Sequence, residues 1–162
     1  MSPGPAGMRR PLLVSGAVAG LVAGVGGAAT RLDGWYYALQ QPAWKPPDAL
    51  FGPAWTLIFA LSAWSAALGW VHGDASGRRR VLAAFAANGL LNVLWSVLFF
   101  TLQRPDWALM EVPLLWASIV VAMLAVRPAR GRAIALLVPY LCWVSFAAVL
   151  NLAVVRMNGP FG

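Results

Sequence analysis

Five long runs of apolar residues, almost free of charge, limit what this chain can fold into. They lie at about 12–30, 50–71, 81–102, 107–126 and 133–155. Each is long enough for a helix of roughly 20 residues to cross a hydrocarbon core of about 30 Å. Only 10% of the 162 residues are charged, against about 25% in a soluble domain. The runs therefore predict an all-α membrane protein, a bundle of five transmembrane helices.

The region around the first run has two possible interpretations. Residues 1–11 are rich in proline and glycine and predict a flexible tail, followed by a single domain over 12–158. Arg9 and Arg10 before an apolar run also fit a signal peptide. The run is long for a signal sequence, which favours a retained span. Small residues every four positions predict a groove for close helix contact, formed by Gly16, Gly20 and Gly24.

Lysine and arginine are distributed unevenly between the two ends of the expected spans. Eight of the twelve lie in the tail and in the loops after the second and fourth runs, all at one end. Because cytoplasmic loops carry the excess of basic residues, the N-terminus is predicted to be cytoplasmic. The first loop and the C-terminus then lie on the opposite, periplasmic or extracellular, side.

A stretch rich in proline and aromatic residues, WYYALQQPAWKPPDALFGPAW, joins the first span to the second. Pro42, Pro46 and Pro47 each fix φ and lack an N–H donor, so the stretch cannot be one continuous helix. It predicts a structured loop, named loop 1 here, in which prolines hold the Trp44 ring in a fixed direction. Rigid rings bind flat apolar ligands with little loss of freedom. The alternative interpretation is an aromatic belt, in which tryptophan and tyrosine side chains lie at the membrane surface. We expect residues 35–49 to close over a cup formed by the spans.

Three spans carry polar and aromatic side chains on one face. Residues spaced i, i+4 and i+7 share a side of a helix. This spacing groups Trp55, Phe59 and Ser62 on the second span, Asn88, Asn92 and Trp95 on the third, and Tyr140, Trp143, Ala147 and Asn151 on the fifth. An asparagine within a span needs a hydrogen-bond partner or a polar ligand. Interhelical hydrogen bonds and a ligand pocket both meet that need, so two interpretations stay open.

Glu111 is the one carboxylate within a predicted span. It lies four residues after Trp107, about 6 Å of helix rise into the membrane. There it is either a polar group of a pocket or an interfacial carboxylate near Arg104. The sequence has no paired carboxylates, no Ser-His-Asp set and no phosphate-binding glycine motif, and the single His72 has no partners for a metal site. We therefore expect a protein that is not an ordinary acid–base enzyme and that binds no metal. The basic residues lie between the apolar runs and not on one amphipathic helix, so we expect no nucleic-acid binding either.

Three motifs in order resemble the TspO/MBR family of tryptophan-rich sensory proteins and translocator, or peripheral benzodiazepine receptor, proteins. They are WYYALQQPAWKPPDALFGPAWTLIF, NVLWSVLFF and PYLCWVSFAAVLN, and the likeness runs from about Trp35 to Asn158. The resemblance implies five helices around a pocket beneath loop 1, often in a homodimer.

The resemblance also implies which residues line that pocket. Matched one by one to the family's motifs, they are Tyr36 or Tyr37, Trp44, Trp55, Phe59, Asn92, Trp95, Trp143, Ala147 and Asn151. Asn88 stands where the family usually has glutamine, Phe59 where tyrosine is common, and Glu111 where many bacterial members carry an acid. We expect the rings to enclose a ligand, and Asn88 and Asn92 to orient its polar edge.

For function, the resemblance implies a membrane receptor or sensor that binds porphyrins, such as protoporphyrin IX or haem-like molecules, in tetrapyrrole transport or regulation. No cofactor is required, and the expected partners are this or another hydrophobic small molecule, membrane lipid and a second copy of the chain. Sterols are further family ligands. Arg31, Tyr36 and Leu39 fit a reverse cholesterol pattern, whereas the C-terminal pattern lacks its tyrosine. A transporter of small hydrophobic solutes and a porphyrin-degrading enzyme dependent on light and oxygen remain as alternatives.

Overall fold

Helices make up the secondary structure of the described part of the chain. The computed structural model describes residues 5–162. Its helices are α1 (Pro5–Ala29), α2 (Gly34–Ala38), α3 (Phe51–His72), α4 (Ala75–Ser96), α5 (Pro105–Ala125), α6 (Arg130–Ala135) and α7 (Val138–Asn158). Five helical stretches among these residues are long and apolar enough to span a membrane. The predicted five-helix bundle, with a structured loop between its first two spans, is confirmed.

The ends of the spans differ by a few residues from the sequence prediction. The stretches are Gly7–Ala29, Asp48–His72, Ala75–Thr101, Pro105–Ala125 and Gly131–Asn158. Helix α1 begins at Pro5, so residues 5–11, predicted as a flexible tail, extend the first helix. Residues 1–4 of that predicted tail lie outside the described residues.

Two irregular segments shape the ends of the third and fifth spans. The fifth is interrupted between α6 and α7, because Pro139 stands in the first turn of α7 and cannot continue a preceding helix. The third ends in a π-helical segment, Val97–Thr101, in which the Leu102 N–H donates to the Val97 carbonyl at 2.8 Å. A π segment adds a residue to a helical turn and rotates the side chains after it.

Helix α1 lies against α3 but is largely exposed. It packs on α3 and, to a lesser degree, on α4, while α4 packs on α5 and α5 on α7. In the most apolar stretch of α1 only 6% is buried, against 28% to 39% in the corresponding stretches of the other four spans. The hydroxyl of Ser15 ties it to α3 by donating to the Ala63 carbonyl at 2.8 Å. We call the end of the bundle with loop 1 the loop end, and the end where α1 begins the tail end.

The prediction of a close contact within the bundle at the glycine groove is wrong, while the alternative, a dimer seam, stays a prediction. No neighbouring atom lies within 4 Å of the Cβ position at Gly16, Gly20 or Gly24. The close approach of α1 lies instead at Gly89 of α4, where an added Cβ would stand 3.0 Å from Val22. The missing side chains of Gly16 and Gly20 leave open space beside α1.

Candidate ligand-binding site

A cavity of about 850 Å³ lies beneath loop 1, in the loop-end half of the bundle. We call it the main cavity. Its wall is formed by the small residues of α1, by loop 1 and by side chains of α3, α4, α5 and α7. Ligand sites for small molecules occupy about 300–1,000 Å³ and are mostly apolar. The main cavity therefore has the size and the surface of such a site.

Aromatic rings from three helices form the apolar wall. Trp55 stacks on Phe59 within α3, with ring centroids 5.5 Å apart, and meets the edge of Trp143 of α7 at 6.4 Å. Across the cavity, Trp95 stacks on Phe99 at 5.1 Å. Stacked and edge-on pairs at these distances are the favourable arrangements of aromatic rings. The rings hold one another in position before any ligand arrives.

Loop 1 is fixed to the bundle as a cover. Asp33 caps the short helix α2, accepting from the Tyr36 N–H at 3.2 Å. At the other side, Asn158 at the end of α7 grips the backbone of Gln40: its Oδ1 accepts from the Gln40 N–H at 2.7 Å, and its Nδ2 donates to the Gln40 carbonyl at 2.9 Å. The loop is therefore an ordered lid over one side of the main cavity, which remains partly open.

A charged cluster lies where the lid meets the cavity. Lys45 forms an ion pair with Asp48 and donates to the Tyr36 hydroxyl at 2.9 Å, and that hydroxyl donates to Asp48 at 2.8 Å. Burial raises the pKa of Tyr36 above its ordinary value. For Lys45, burial is the largest influence and lowers the pKa, but the hydrogen bonds to Asp48 and Tyr36 outweigh it and the pKa is raised. Lys45 is thus a firmly held positive charge at the cavity mouth.

Two donors in the cavity wall have no hydrogen-bond partner among the described residues. They are Nε2 of Gln41 in loop 1 and the indole N–H of Trp95, and both nitrogens are buried. A buried donor without a partner costs about 1–3 kcal/mol. A ligand that brings acceptor oxygens to these nitrogens would remove that cost.

Eight of the eleven predicted ligand-binding residues line the main cavity: Tyr36, Trp55, Phe59, Asn92, Trp95, Trp143, Ala147 and Asn151. Tyr37 and Trp44 do not. Tyr37 is 64% exposed, and Trp44 is 50% exposed and meets the edge of Phe146 with ring centroids 5.9 Å apart. Asn88 lies deeper, towards the tail end of the bundle. A ligand contact at these three positions stays a prediction.

The asparagine side chains join helices. Asn88 donates to the Ser118 hydroxyl at 2.8 Å, and Asn92 donates to the Tyr140 hydroxyl at 3.1 Å. With its amide nitrogen oriented towards Pro105, Asn151 reaches the Pro105 carbonyl at 3.0 Å and the Leu109 N–H at 3.1 Å. Interhelical hydrogen bonds are therefore present at Asn88 and Asn92 and are available to Asn151. Asn92 and Asn151 also face the cavity.

Several residues that line the main cavity were not predicted from the sequence. Lys45, Asp48 and Gln41 lie within loop 1, and their position beside its prolines could have indicated a polar rim. Phe99 and Phe100 are brought to the wall by the π segment, for which the sequence gives no signal.

Glu111 is buried in α5, and neither carboxylate oxygen has a hydrogen-bond partner among the described residues. It does not border the main cavity. Among residues 5–162, which the structure describes, no group of three or more His, Cys, Asp or Glu side chains is placed to hold a metal ion.

Five apolar helices around a covered cavity define an integral, multi-pass membrane protein with a ligand-sized site. Residues 13–157 match the model of the TspO/MBR family, and the chain belongs to this family. It is 39% identical to the Tryptophan-rich protein TspO of Chlorobaculum tepidum, over 93% of this chain and 99% of the relative. It is 36% identical to the protein of the same name from Archaeoglobus fulgidus, over 90% of this chain and 96% of the relative. The Translocator protein of Homo sapiens is 33% identical, over 76% of this chain and 75% of the relative.

Proposed function

We propose that this chain is a membrane receptor or sensor that binds a porphyrin in the main cavity and acts in tetrapyrrole transport or regulation. The observation that supports the proposal is the ring-lined cavity of about 850 Å³ beneath loop 1. A porphyrin is a flat aromatic macrocycle, and aromatic rings offer it stacking surfaces. The relatives' names, sensory and translocator proteins, agree with binding rather than catalysis.

The polar groups at the cavity mouth suit the other part of such a ligand. Protoporphyrin IX carries propionate carboxylates on one edge. Lys45 lies where the lid meets the cavity, and Gln41 and Trp95 offer free donors in the wall. Charge-assisted hydrogen bonds of this kind are about twice as strong as neutral ones. The macrocycle would lie among the rings, with its carboxylates turned towards Lys45.

The contribution of Lys45 is tested by removing either its positive charge or the carboxylates of the porphyrin. In Lys45→Met, protoporphyrin IX affinity is expected to fall at least about tenfold, since one charged hydrogen bond contributes roughly 1.5 kcal/mol or more. The affinity for protoporphyrin IX dimethyl ester, which has no carboxylate, should be nearly the same in Lys45→Met and the parent protein. Quenching of tryptophan fluorescence in detergent measures both affinities.

A matched control for Lys45 is Arg31→Met, which removes a positive charge at the same end of the bundle and outside the main cavity. Its effect on protoporphyrin IX should be small. Equal losses for the acid and the ester in Lys45→Met would show that the lysine supports the loop without meeting the carboxylates.

We also propose that the N-terminus is cytoplasmic and that loop 1 and the C-terminus lie on the opposite side, because basic residues concentrate at the tail end. Alkaline phosphatase fused after Gly162 should be active in a bacterial host, and green fluorescent protein fused there should be dark. The reverse pattern would contradict the orientation. A homodimer stays a prediction from the resemblance.

A transporter would need a polar relay along the path of its solute. Glu111, the buried carboxylate of the spans, does not border the main cavity. Binding is therefore the function that the geometry of the described residues favours over transport.

A further inference from the structure

A second cavity of about 550 Å³ lies in the tail-end half of the bundle, beneath α1 and between α3 and α4. It adjoins the main cavity, and four residues contribute to both walls: Ala19, Val22, Phe59 and Ala63. Its wall is largely apolar, with Phe85 and Trp70 among its residues. The size falls within the range of small-molecule sites. Of the pocket residues that the resemblance implies, Phe59 and Asn88 border this cavity.

One buried polar group in this cavity is unused. Ser62 is 8% exposed, lines the cavity, and its hydroxyl has no hydrogen-bond partner among the described residues. The neighbouring polar groups are already engaged, since Asn88 donates to Ser118 and Tyr140 accepts from Asn92. The Ser62 hydroxyl is thus a free donor that an acceptor oxygen of an occupant would satisfy.

The rim of the cavity opens in two directions. Val14 of α1 and Leu82 of α4 stand on it and are 64% and 62% exposed, on surfaces that face lipid in a spanning bundle. At the tail end the rim includes the exposed Arg10. Arg78 at the same end donates to the Trp70 carbonyl at 3.1 Å and lies over the Trp70 ring. An apolar chain can enter from the bilayer while a negative group stays beside the arginines.

We propose that the second cavity binds an acyl chain of an anionic phospholipid. The phosphate lies at Arg10, and the Ser62 hydroxyl donates to an ester carbonyl below it. An occupant that reaches both the apolar wall and the basic end has to be amphipathic, and basic residues at a membrane surface attract anionic lipid. Ser15 donates to the carbonyl of Ala63, the neighbour of Ser62, and Arg10 stands five residues before Ser15, roughly 7.5 Å of helix rise. The long arginine side chain can bring a phosphate within one glycerol of the Ser62 hydroxyl.

The test counts lipid bound to delipidated protein in detergent by native mass spectrometry. Phosphatidylglycerol is expected to stay bound at a ratio of one per chain in preference to phosphatidylcholine. Arg10→Gln should weaken phosphatidylglycerol binding about fivefold, whereas Arg132→Gln, which removes a tail-end charge outside the cavity, should leave it unchanged. Ala66→Phe places a ring in the cavity and should reduce binding about tenfold or more.

The outcomes separate this site from non-specific lipid association. Equal retention of phosphatidylcholine, or equal losses in Arg10→Gln and Arg132→Gln, would overturn the proposal. Displacement of phosphatidylglycerol by an equal concentration of oleate would overturn the choice of a phospholipid over a free fatty acid. Because Ala66 is partly buried, circular dichroism melting checks that Ala66→Phe is folded. If Ala66→Phe is not folded, Arg10→Gln, a substitution at an exposed position, tests the proposal by itself.

Discussion

The affinity for protoporphyrin IX is expected to fall at least about fivefold, and up to about a hundredfold, when Ala147 is replaced by phenylalanine. Ala147 lines the main cavity from α7, one helical turn after Trp143. A phenyl ring there would fill space that a flat, rigid macrocycle needs, and overpacking of this kind costs about 1–3 kcal/mol, which is up to about a hundredfold in affinity. Quenching of tryptophan fluorescence on titration with protoporphyrin IX measures the change.

The same helix offers a matched control for Ala147. Val149 is 56% exposed and does not border the main cavity, so Val149→Phe adds a ring of the same size on the lipid-facing side of α7. Its affinity for the porphyrin should equal that of the parent protein. If both variants bind as tightly as the parent, the porphyrin does not bind in the main cavity.

The second large effect is on stability, at Gly69 of α3. A Cβ at this position would lie 2.7 Å from Cγ1 of Val126 and 3.1 Å from Cγ2 of Val81. Val126 is fully buried and branched at Cβ, so it cannot move aside easily. Gly69→Leu is therefore expected to cost about 3 kcal/mol, at the upper end of the usual range for overpacking. Thermal unfolding in detergent, followed by circular dichroism, should show a clearly lowered midpoint.

Gly24→Leu controls for the loss of a glycine without crowding. It also lies within a helix, but nothing stands within 4 Å of its Cβ position. Leucine has a better helix propensity than glycine by less than about 1 kcal/mol, so this variant should be as stable as the parent or slightly more stable. A similar loss in both variants would contradict the tight contact between α3 and Val126.

The spans and the loop between the first two could be predicted because their signals are local. A run of about 20 apolar residues has few alternatives to a membrane helix, and Pro42, Pro46 and Pro47 exclude a helix through loop 1. Motif spacing also placed Trp55, Trp95 and Trp143 on faces that meet at one cavity. Helical periodicity fixes such faces without knowledge of the neighbours.

Features that depend on distances between helices could not be predicted. The glycines of α1 predicted close contact, yet a glycine pattern permits close approach without requiring it, and here it leaves space under α1. Trp44 lies in a stiff loop as expected, but its direction depends on where Phe146 of α7 stands. Phe99 and Phe100 reach the cavity through a π segment, an added residue in a turn that apolar periodicity does not reveal.

A structure of the protein with protoporphyrin IX bound is the most direct measurement of the central claim. We predict that the macrocycle lies in the main cavity between Trp95 and Trp143, beneath loop 1, with its carboxylates towards Lys45. A macrocycle on the outer surface, for example against the exposed ring of Trp44, with the main cavity free of ligand, would contradict it.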